Sequence, residues 1–306
     1  MKENIMKSVV PRYITAKEKG WLKEKIQAAS DVLRACTLCP RLCRVDRTKD
    51  EKGYCGTGKW AKAASFAPHF GEEPPLVGNR GSGTIFFSHC SLQCVFCQNH
   101  EISIQGEGQA VDTNQIAAIM LLLQEKGCHN INFVTPTHVV PQILKALDTA
   151  IDRGLRIPLV YNCAGYERSE TLDLLTDVVD IFMPDFKFWN PDSADRYCNA
   201  PDYPETARKA IQKMHAMVGD LVVDSSGLAV SGLLVRHLVM PGHLEDTRQI
   251  LAFLKEKVSS NTRINLMSQY RPMGNAATFS ALSQPLTPKA FKTALQMGKD
   301  AGLRLI

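Results

Sequence analysis

The sequence lacks any hydrophobic run long enough to cross a bilayer as a helix. Its longest apolar stretch, around Ala117 to Leu123, falls far short of the roughly 20 residues that a membrane span needs. The first residues, Met1 to Lys7, also lack the apolar core of a secretion signal. We therefore expect no membrane association and a cytoplasmic location.

Blocks of like charge are missing too. The net charge is +5, and positive and negative side chains are interspersed, which permits an acidic partner but does not argue for nucleic acid. No Ser-His-Asp arrangement or pair of carboxylates stands out. Gly81 and Gly83 precede a predicted strand instead of following one, so a dinucleotide-binding fingerprint is excluded. The composition is that of an ordinary globular protein.

Cysteine, by contrast, is abundant, since the chain has ten. Without a secretion signal this number points to metal ligands in a reducing compartment, because disulfides persist in oxidising ones. Seven of the ten fall into two groups, while Cys128, Cys163 and Cys198 stand alone. We expect those three to be small buried hydrophobic residues.

The first group follows a predicted strand rich in β-branched and aromatic residues. Cys90, Cys94 and Cys97 have the spacing C-x3-C-x2-C. Three thiolates on one tight loop can hold three irons of a [4Fe-4S] cluster and leave the fourth iron open for reaction. The alternatives are a zinc site completed by the flanking His89 or His100, or plain buried thiols.

The second group lies nearer the N-terminus. Cys36, Cys39, Cys43 and Cys55 have the spacing C-x2-C-x3-C-x11-C. Four thiolates on a short polar segment can close a metal site, which is either zinc or a fully ligated [4Fe-4S] cluster. A segment too small to fold around its own core gains stability from such a metal. Four unligated thiols are the third alternative, and the spacing does not decide.

From Thr84 onward, predicted strands and helices alternate. Six strand–helix units with mostly apolar strands predict a parallel sheet covered by helices. A closed barrel needs eight units, so we predict an α/β fold with a partial (βα)6 barrel. The predicted strands are the one beginning at Thr84, then Ile131–Thr135, Ile157–Tyr161, Val178–Met183, Leu233–Met240 and Arg263–Met267.

Two regions follow from this pattern. Residues 1–83 are predicted to form an N-terminal helix and a Cys-rich, metal-binding extension, and residues 84–306 the partial barrel. Within the extension, Thr15 and Glu18 have the spacing of a capping box that opens a helix. Residues 60–83, rich in proline and glycine, are predicted to be a surface connection.

In parallel α/β folds, the chemistry gathers at the C-terminal ends of the strands. Polar residues follow nearly every predicted strand here, and their convergence at one rim is the main sequence evidence for a site. After the cysteine loop come Thr135-Pro-Thr-His138, Asn162 to Glu167, Met183 to Lys187, Pro241-Gly242 and Ser268 to Arg271.

The cysteine loop, with the aromatic Phe96 before its last cysteine, resembles the signature of the radical SAM superfamily. The resemblance implies a partial barrel, a [4Fe-4S] cluster and S-adenosylmethionine (SAM), whose amino and carboxylate groups chelate the open iron. One electron then cleaves SAM to methionine and a 5′-deoxyadenosyl radical. A reduced flavodoxin- or ferredoxin-type protein is the implied electron donor.

The strand ending at Asp185 and Lys187 resembles the fourth strand of pyruvate formate-lyase-activating enzymes. The resemblance implies that both residues contact SAM and that Arg236 approaches its carboxylate. Asn162 stands where the family often has aspartate. The alternative for Asp185 and Lys187 is a structural ion pair at the rim.

Two positions depart from that family. The Thr135 segment replaces the Gly-Gly-Glu that holds the SAM amino group, and Gln269 lies where activating enzymes have a histidine. We retain both residues as candidate SAM contacts. The likeness covers roughly residues 84 to 270, and the whole pattern most resembles the PflX-type relatives of these activators.

The resemblance implies hydrogen abstraction from a glycine of a glycyl-radical enzyme, or from another protein substrate. A radical SAM reaction on a peptide, RNA or small metabolite is the second hypothesis, because the departures after the second and sixth strands leave room for it. The third is an iron–sulfur electron carrier, which incomplete ligation by three cysteines disfavours.

Overall fold

The structure, a computed structural model, describes residues 10–306, so the expectation for Met1 to Lys7 lies outside it. In the described part, none of the helices has the length and hydrophobicity of a membrane span. The strands are β1 (Ala61–His69), β2 (Ser82–Phe87), β3 (Gln109–Val111), β4 (Ile131–Val134), β5 (Leu159–Cys163), β6 (Ile181–Pro184), β7 (Val222–Val223), β8 (Ala229–Leu238), β9 (Arg263–Met267) and β10 (Arg304–Leu305).

Helices connect most of these strands. They are α1 (Arg12–Glu18), α2 (Trp21–Val32), α3 (Pro74–Val77), α4 (His100–Ser103), α5 (Thr113–Glu125), α6 (Val140–Asp152), α7 (Ser169–Leu175), α8 (Pro191–Cys198), α9 (Tyr203–Val218), α10 (Leu244–Phe253) and α11 (Pro288–Asp300). Proline at the first or second position opens α8, α9 and α11, where its missing N–H costs no helical hydrogen bond.

The strands form one open sheet in the order β10-β9-β8-β6-β5-β4-β2-β1-β3, with β7 paired to β8. β2, β4, β5, β6, β8 and β9 are parallel to their neighbours in this series. β10 continues the parallel series beside β9, whereas β1 and β3 are antiparallel additions at the other edge. The predicted α/β fold with a partial six-unit barrel is confirmed, and the Cys-rich region precedes it.

The two faces of the sheet differ in character. Phe133 aligns with Tyr161, which aligns with Phe182, and all three belong to the large core shared with the helices. Side chains alternate between the two faces of a strand, so the residues next to these three along each strand face the inside of the curved sheet. On that inner face, Val160 and Ile181 pack with Leu76 from α3. Part of the inner face is therefore apolar.

Residues 60–83 are not merely a surface connection, and that prediction is wrong. β1 pairs along β2, from Ala63 with Phe87 to His69 with Ser82. The chain then enters α3, whose Leu76 is fully buried. Proline weakens a strand prediction because it has no backbone N–H. Pro68 is near the end of β1, where its missing N–H costs the strand little pairing.

The N-terminal helices also differ from the prediction. Thr15 lies inside α1 and does not cap a helix. The helical segment is divided in two at Gly20, whose φ is +78°, a conformation that glycine adopts at no steric cost. α1 is fixed to the barrel instead. The Arg12 amide donates to Asp180 Oδ1 at 2.8 Å, and the Tyr13 hydroxyl donates to the Ile157 carbonyl at 2.9 Å.

Candidate active site

The loop carrying Cys90, Cys94 and Cys97 begins directly after β2. Its path needs two left-handed residues, His89 with a φ of 72° and Gln93 with a φ of 55°, each at a cost of roughly 1–2 kcal/mol. The loop is tied down by neighbours. Gln93 donates its side-chain amide to the Tyr54 carbonyl at 2.8 Å, and the Val95 amide donates to the Tyr197 carbonyl at 2.9 Å.

All three thiols are sheltered, and the sulfurs of Cys90 and Cys97 accept hydrogen bonds. The Leu92 amide donates to Cys90 Sγ at 3.3 Å, and the Ser103 hydroxyl donates to Cys97 Sγ at 3.1 Å. Burial raises the pKa of Cys90 to about 12. A buried thiolate therefore needs a cation beside it, which a metal centre provides.

Sequence reasoning missed one neighbour of this loop. Cys198, treated as an isolated cysteine, lies with its sulfur 3.4 Å from the Cys94 sulfur. It ends α8, far along the chain, so only the fold brings the two together. Their contact, followed by burial, raises the pKa of Cys94 well above its usual value.

The donor set can be tested against the groups it was predicted to bind. Among residues 10–306, no three cysteine, histidine, aspartate or glutamate side chains are grouped as ligands of a single metal ion. In a cluster, by contrast, each thiolate binds its own iron. Three sheltered thiols on one loop, with N–H and O–H donors on two of the sulfurs, have the chemistry of cluster ligands.

Asp185 is the centre of a largely buried ion-pair network at the end of β6, whose charged side chains are 15–17% exposed. Lys187 Nζ lies 2.7 Å from Asp185 Oδ2, and Arg236 Nε lies 2.9 Å from Asp185 Oδ1. Arg236 also donates to Asn162 Oδ1 at 2.6 Å. The structure thus brings together four of the six predicted cofactor contacts.

The charges in this network stabilise one another. Burial alone would raise the pKa of Asp185, but Arg236 and Lys187 outweigh it and hold the pKa below its usual value. Burial opposes the charge of Lys187, and Asp185 more than compensates by raising the lysine pKa. All three side chains are therefore ionised at neutral pH.

Sequence reasoning missed two acidic members of this site, Glu72 and Glu73. Glu72 Oε2 lies 3.5 Å from Arg236 Nη1, and Glu73 Oε1 accepts a hydrogen bond from Asn265 Nδ2 at 2.9 Å. Both carboxylates precede α3 inside the segment predicted to lie on the surface. The adjacent apolar Leu76, which is buried, was the available signal that this segment turns inward.

Thr135 and Gln269 occupy different surroundings. The Thr135 amide donates to the Asn162 carbonyl at 2.9 Å, so Thr135 borders the network through its backbone. Gln269 is exposed, and its carbonyl accepts a hydrogen bond from Gln98 Nε2 at 2.9 Å. Gln269 therefore neighbours the cysteine loop, while its side chain lies outside the ion-pair network.

Another buried acid, Glu167, lies beyond the end of β5. Its carboxyl group accepts hydrogen bonds from the Thr137 hydroxyl at 2.5 Å and from the Tyr161 hydroxyl at 3.1 Å. Burial outweighs these donors and raises the pKa of Glu167 to about 7. The folded protein therefore retains a proton that the unfolded chain releases at lower pH.

Replacing Glu167 with glutamine is expected to flatten the pH dependence of stability. The pKa rises on folding from 4.5 to about 7, so the group's contribution is fully present below pH 4.5 and is lost as the pH rises towards 7. The loss is about 3 kcal/mol at 1.36 kcal/mol per pKa unit. Urea unfolding of both proteins at pH 5 and pH 8 measures it, and parallel pH profiles would contradict it.

Comparison with known proteins adds three findings. Residues 84–254 match the Radical SAM superfamily. The chain is 32% identical over 292 residues to an uncharacterized protein of Methanocaldococcus jannaschii, covering 92% of this chain and 79% of the relative. It is also similar to a crystal structure of a domain of pyruvate-formate lyase-activating enzyme from Bacteroides vulgatus, with 15% identity, 63% of this chain and 89% of that one covered, and a TM-score of 0.37.

Proposed function

Because this chain belongs to the radical SAM superfamily, we propose that it is an activating enzyme, which abstracts hydrogen from a glycine of a partner protein. Membership implies a [4Fe-4S] cluster and SAM. When bound, the cluster supplies the electron that splits SAM into methionine and a 5′-deoxyadenosyl radical. No general acid–base pair is required, because the radical removes the hydrogen itself.

Cys90, Cys94 and Cys97 are the proposed ligands of that cluster. The observation that carries the proposal is the position of their loop, which holds three sheltered thiols at the C-terminal end of the first strand of the parallel series. Burial raises the pKa of Cys97, and the positive charge of Lys187 opposes that rise. β2 and β6 belong to the same parallel series, so the thiols and the ion-pair network follow strands that end at the same edge of the sheet, where one molecule can contact both.

The ion-pair network is the proposed binding site for SAM. Lys187 and Arg236 supply positive charge for its carboxylate, while Asp185 and Asn162 supply acceptors for its hydroxyl and amino groups. The Thr135 backbone borders this network and Gln269 borders the cysteine loop, and both residues are proposed as further SAM contacts. The residues' task is to orient SAM and to exclude water from the radical.

The proposed partner is a glycyl-radical enzyme, with a reduced flavodoxin- or ferredoxin-type protein as electron donor. The sheet of the described residues is open, and we propose that a loop of a protein substrate reaches the radical through its open side. A net charge of +5 favours an acidic partner. All ten cysteines are free thiols, and we propose a cytoplasmic location, where thiols stay reduced.

We also propose the division of the chain into residues 1–83 and residues 84–306. The first region would carry the second group of cysteines, as a cluster or a zinc site, and the second the radical chemistry. The two are in intimate contact, because the boundary falls within β2 and β1 of the first region pairs along that strand.

The partner reaction makes a direct prediction. Anaerobic incubation of the reduced protein with SAM and a glycyl-radical enzyme encoded beside it should give a glycyl radical doublet in electron paramagnetic resonance. The control is the partner with its acceptor glycine changed to alanine, which should give no doublet. A genome without any glycyl-radical enzyme would remove this role and leave modification of a peptide, RNA or small metabolite.

A further inference from the structure

The second group of cysteines forms a site. All four thiols line one small cavity, together with Leu38, Val45, Arg47, Gly53, Thr57 and His138. The surrounding turns are well bonded, because the Cys36 amide donates to the Val45 carbonyl at 2.9 Å and the Tyr54 amide donates to Cys43 Sγ at 3.2 Å. Gly53 is required there, since a Cβ on it would lie 2.7 Å from Cys43 Sγ.

Arg47 makes this cavity unusual. Its side chain is 1% exposed, and its partners in the described part of the chain are neutral. Nε donates to the Gly58 carbonyl at 2.9 Å and Nη1 donates to the His138 carbonyl at 2.7 Å. Nη1 also lies 3.9 Å from Cys36 Sγ. A buried guanidinium without a counter-charge is strongly unfavourable, so an anionic group belongs beside it.

Two buried donors at the cavity have no acceptor, namely Arg47 Nη2 and Thr57 Oγ1. Four thiolates would supply negative charge and sulfur acceptors for these donors whether they held zinc or a cluster. The two differ in spacing, because zinc needs all four sulfurs around one ion, whereas each thiolate of a cluster binds its own iron. Among residues 10–306 no three such side chains are grouped around a single metal ion, so the spacing favours a cluster over zinc.

We propose that Cys36, Cys39, Cys43 and Cys55 hold a second, fully ligated [4Fe-4S] cluster, with Arg47 as its buried counter-charge. This site goes beyond the radical chemistry proposed above and does not depend on it. Its four ligands leave no open iron, so it exchanges electrons but does not bind SAM.

The second site lies against the loop of the first. Arg41, between Cys39 and Cys43, donates Nε to the Ser91 carbonyl at 3.0 Å and Nη2 to the Leu92 carbonyl at 3.3 Å. Gly56, next to Cys55, approaches the His89 ring so closely that a Cβ there would lie 3.2 Å from Nδ1. A cluster in the second site would thus be positioned to pass an electron towards the first.

Metal analysis of the anaerobically reconstituted full chain tests the proposal. We expect about eight irons per chain in the wild type and about four in a Cys36→Ser/Cys39→Ser variant, from two four-iron clusters. Cys128→Ser, which changes a buried cysteine away from both groups, should keep about eight. About four irons with one zinc in the wild type would overturn the cluster, and unchanged iron in the double variant would overturn the ligands.

The role of Arg47 has its own test. In an Arg47→Gln variant, the loss of a positive charge should make reduction of the second cluster harder and shift its midpoint potential to a lower value. The potential is measured in a Cys90→Ala/Cys94→Ala/Cys97→Ala background, where the second cluster is the remaining one. Arg47→Lys keeps the positive charge, so its midpoint potential should lie close to the wild-type value. An unchanged potential in Arg47→Gln would overturn the proposal that Arg47 is the counter-charge.

The two proposals fail in different ways. If the wild type binds about eight irons but never cleaves SAM, the radical chemistry is wrong and the second cluster stands. If SAM is cleaved by a protein with about four irons, the second cluster is wrong and the radical chemistry stands.

Discussion

Alanine at Cys90, Cys94 or Cys97 is expected to abolish reductive cleavage of SAM. Each thiolate would hold one iron of the reactive cluster, and no other cysteine on this loop can replace it. A cluster with two protein ligands is readily lost, and without its open iron there is nothing to chelate and reduce SAM. The measurement is the 5′-deoxyadenosine formed by reconstituted, chemically reduced protein.

The matched control is Cys163→Ala, which removes a buried thiol at the end of β5 that is not a proposed ligand. It should retain both its iron and the cleavage reaction. The triple alanine variant should keep about four irons if the second cluster forms, which separates loss of the reactive cluster from general unfolding. SAM cleavage by that triple variant would contradict the assignment.

Substitutions at Asp185 and Lys187 should weaken SAM binding strongly, which is the second large effect we expect. Lys187→Met removes the charge but retains most of the apolar stem, and we expect SAM to bind about 10- to 100-fold more weakly, or roughly 1.4–2.8 kcal/mol. Asp185→Ala should weaken SAM binding too. It should also lower the unfolding free energy by about 3 kcal/mol, because it leaves two largely buried cations without their main partner.

Calorimetric titration with SAM and denaturant unfolding separate these two effects. Lys209→Met is the control, since Lys209 pairs with Glu205 at 2.6 Å on an exposed helix surface where such pairs contribute little. Iron content should stay at the wild-type level in Lys187→Met. Wild-type SAM affinity in both site variants would show that the network is purely structural.

The parallel strands could be predicted because they are short apolar runs in which every residue, or every second residue, is buried. β9 has the predicted bounds, and its alternate residues Ile264 and Leu266 are buried. β6 was predicted to begin at Val178 but begins at Ile181. Val178 and Val179 are nevertheless buried, because apolar residues also fill the turn before the strand, and hydrophobicity alone does not distinguish the two.

The site was less predictable than the strands. Cys90, Asp185 and Lys187 follow strands and carry recognisable spacing, so their proximity could be expected from a parallel sheet. Cys198 has no local signal, and the one signal for Glu72 is the nearby apolar Leu76. Glu72 contacts Arg236, which is far along the chain, because the segment between β1 and α3 turns towards the inner face of the sheet, and such a path depends on tertiary packing.

The edges of the described sheet restrict how a partner protein can bind. β10 has two residues, and β3 has three and pairs only with Ala61–Ala63 of β1. The rest of β1, as far as His69, keeps a free outer edge in the described chain, but Pro68 within it has no N–H to donate, which protects such an edge against strand addition. A protein substrate is therefore expected to enter as a flexible loop recognised through its side chains, and its affinity should depend on salt more than on β-strand propensity.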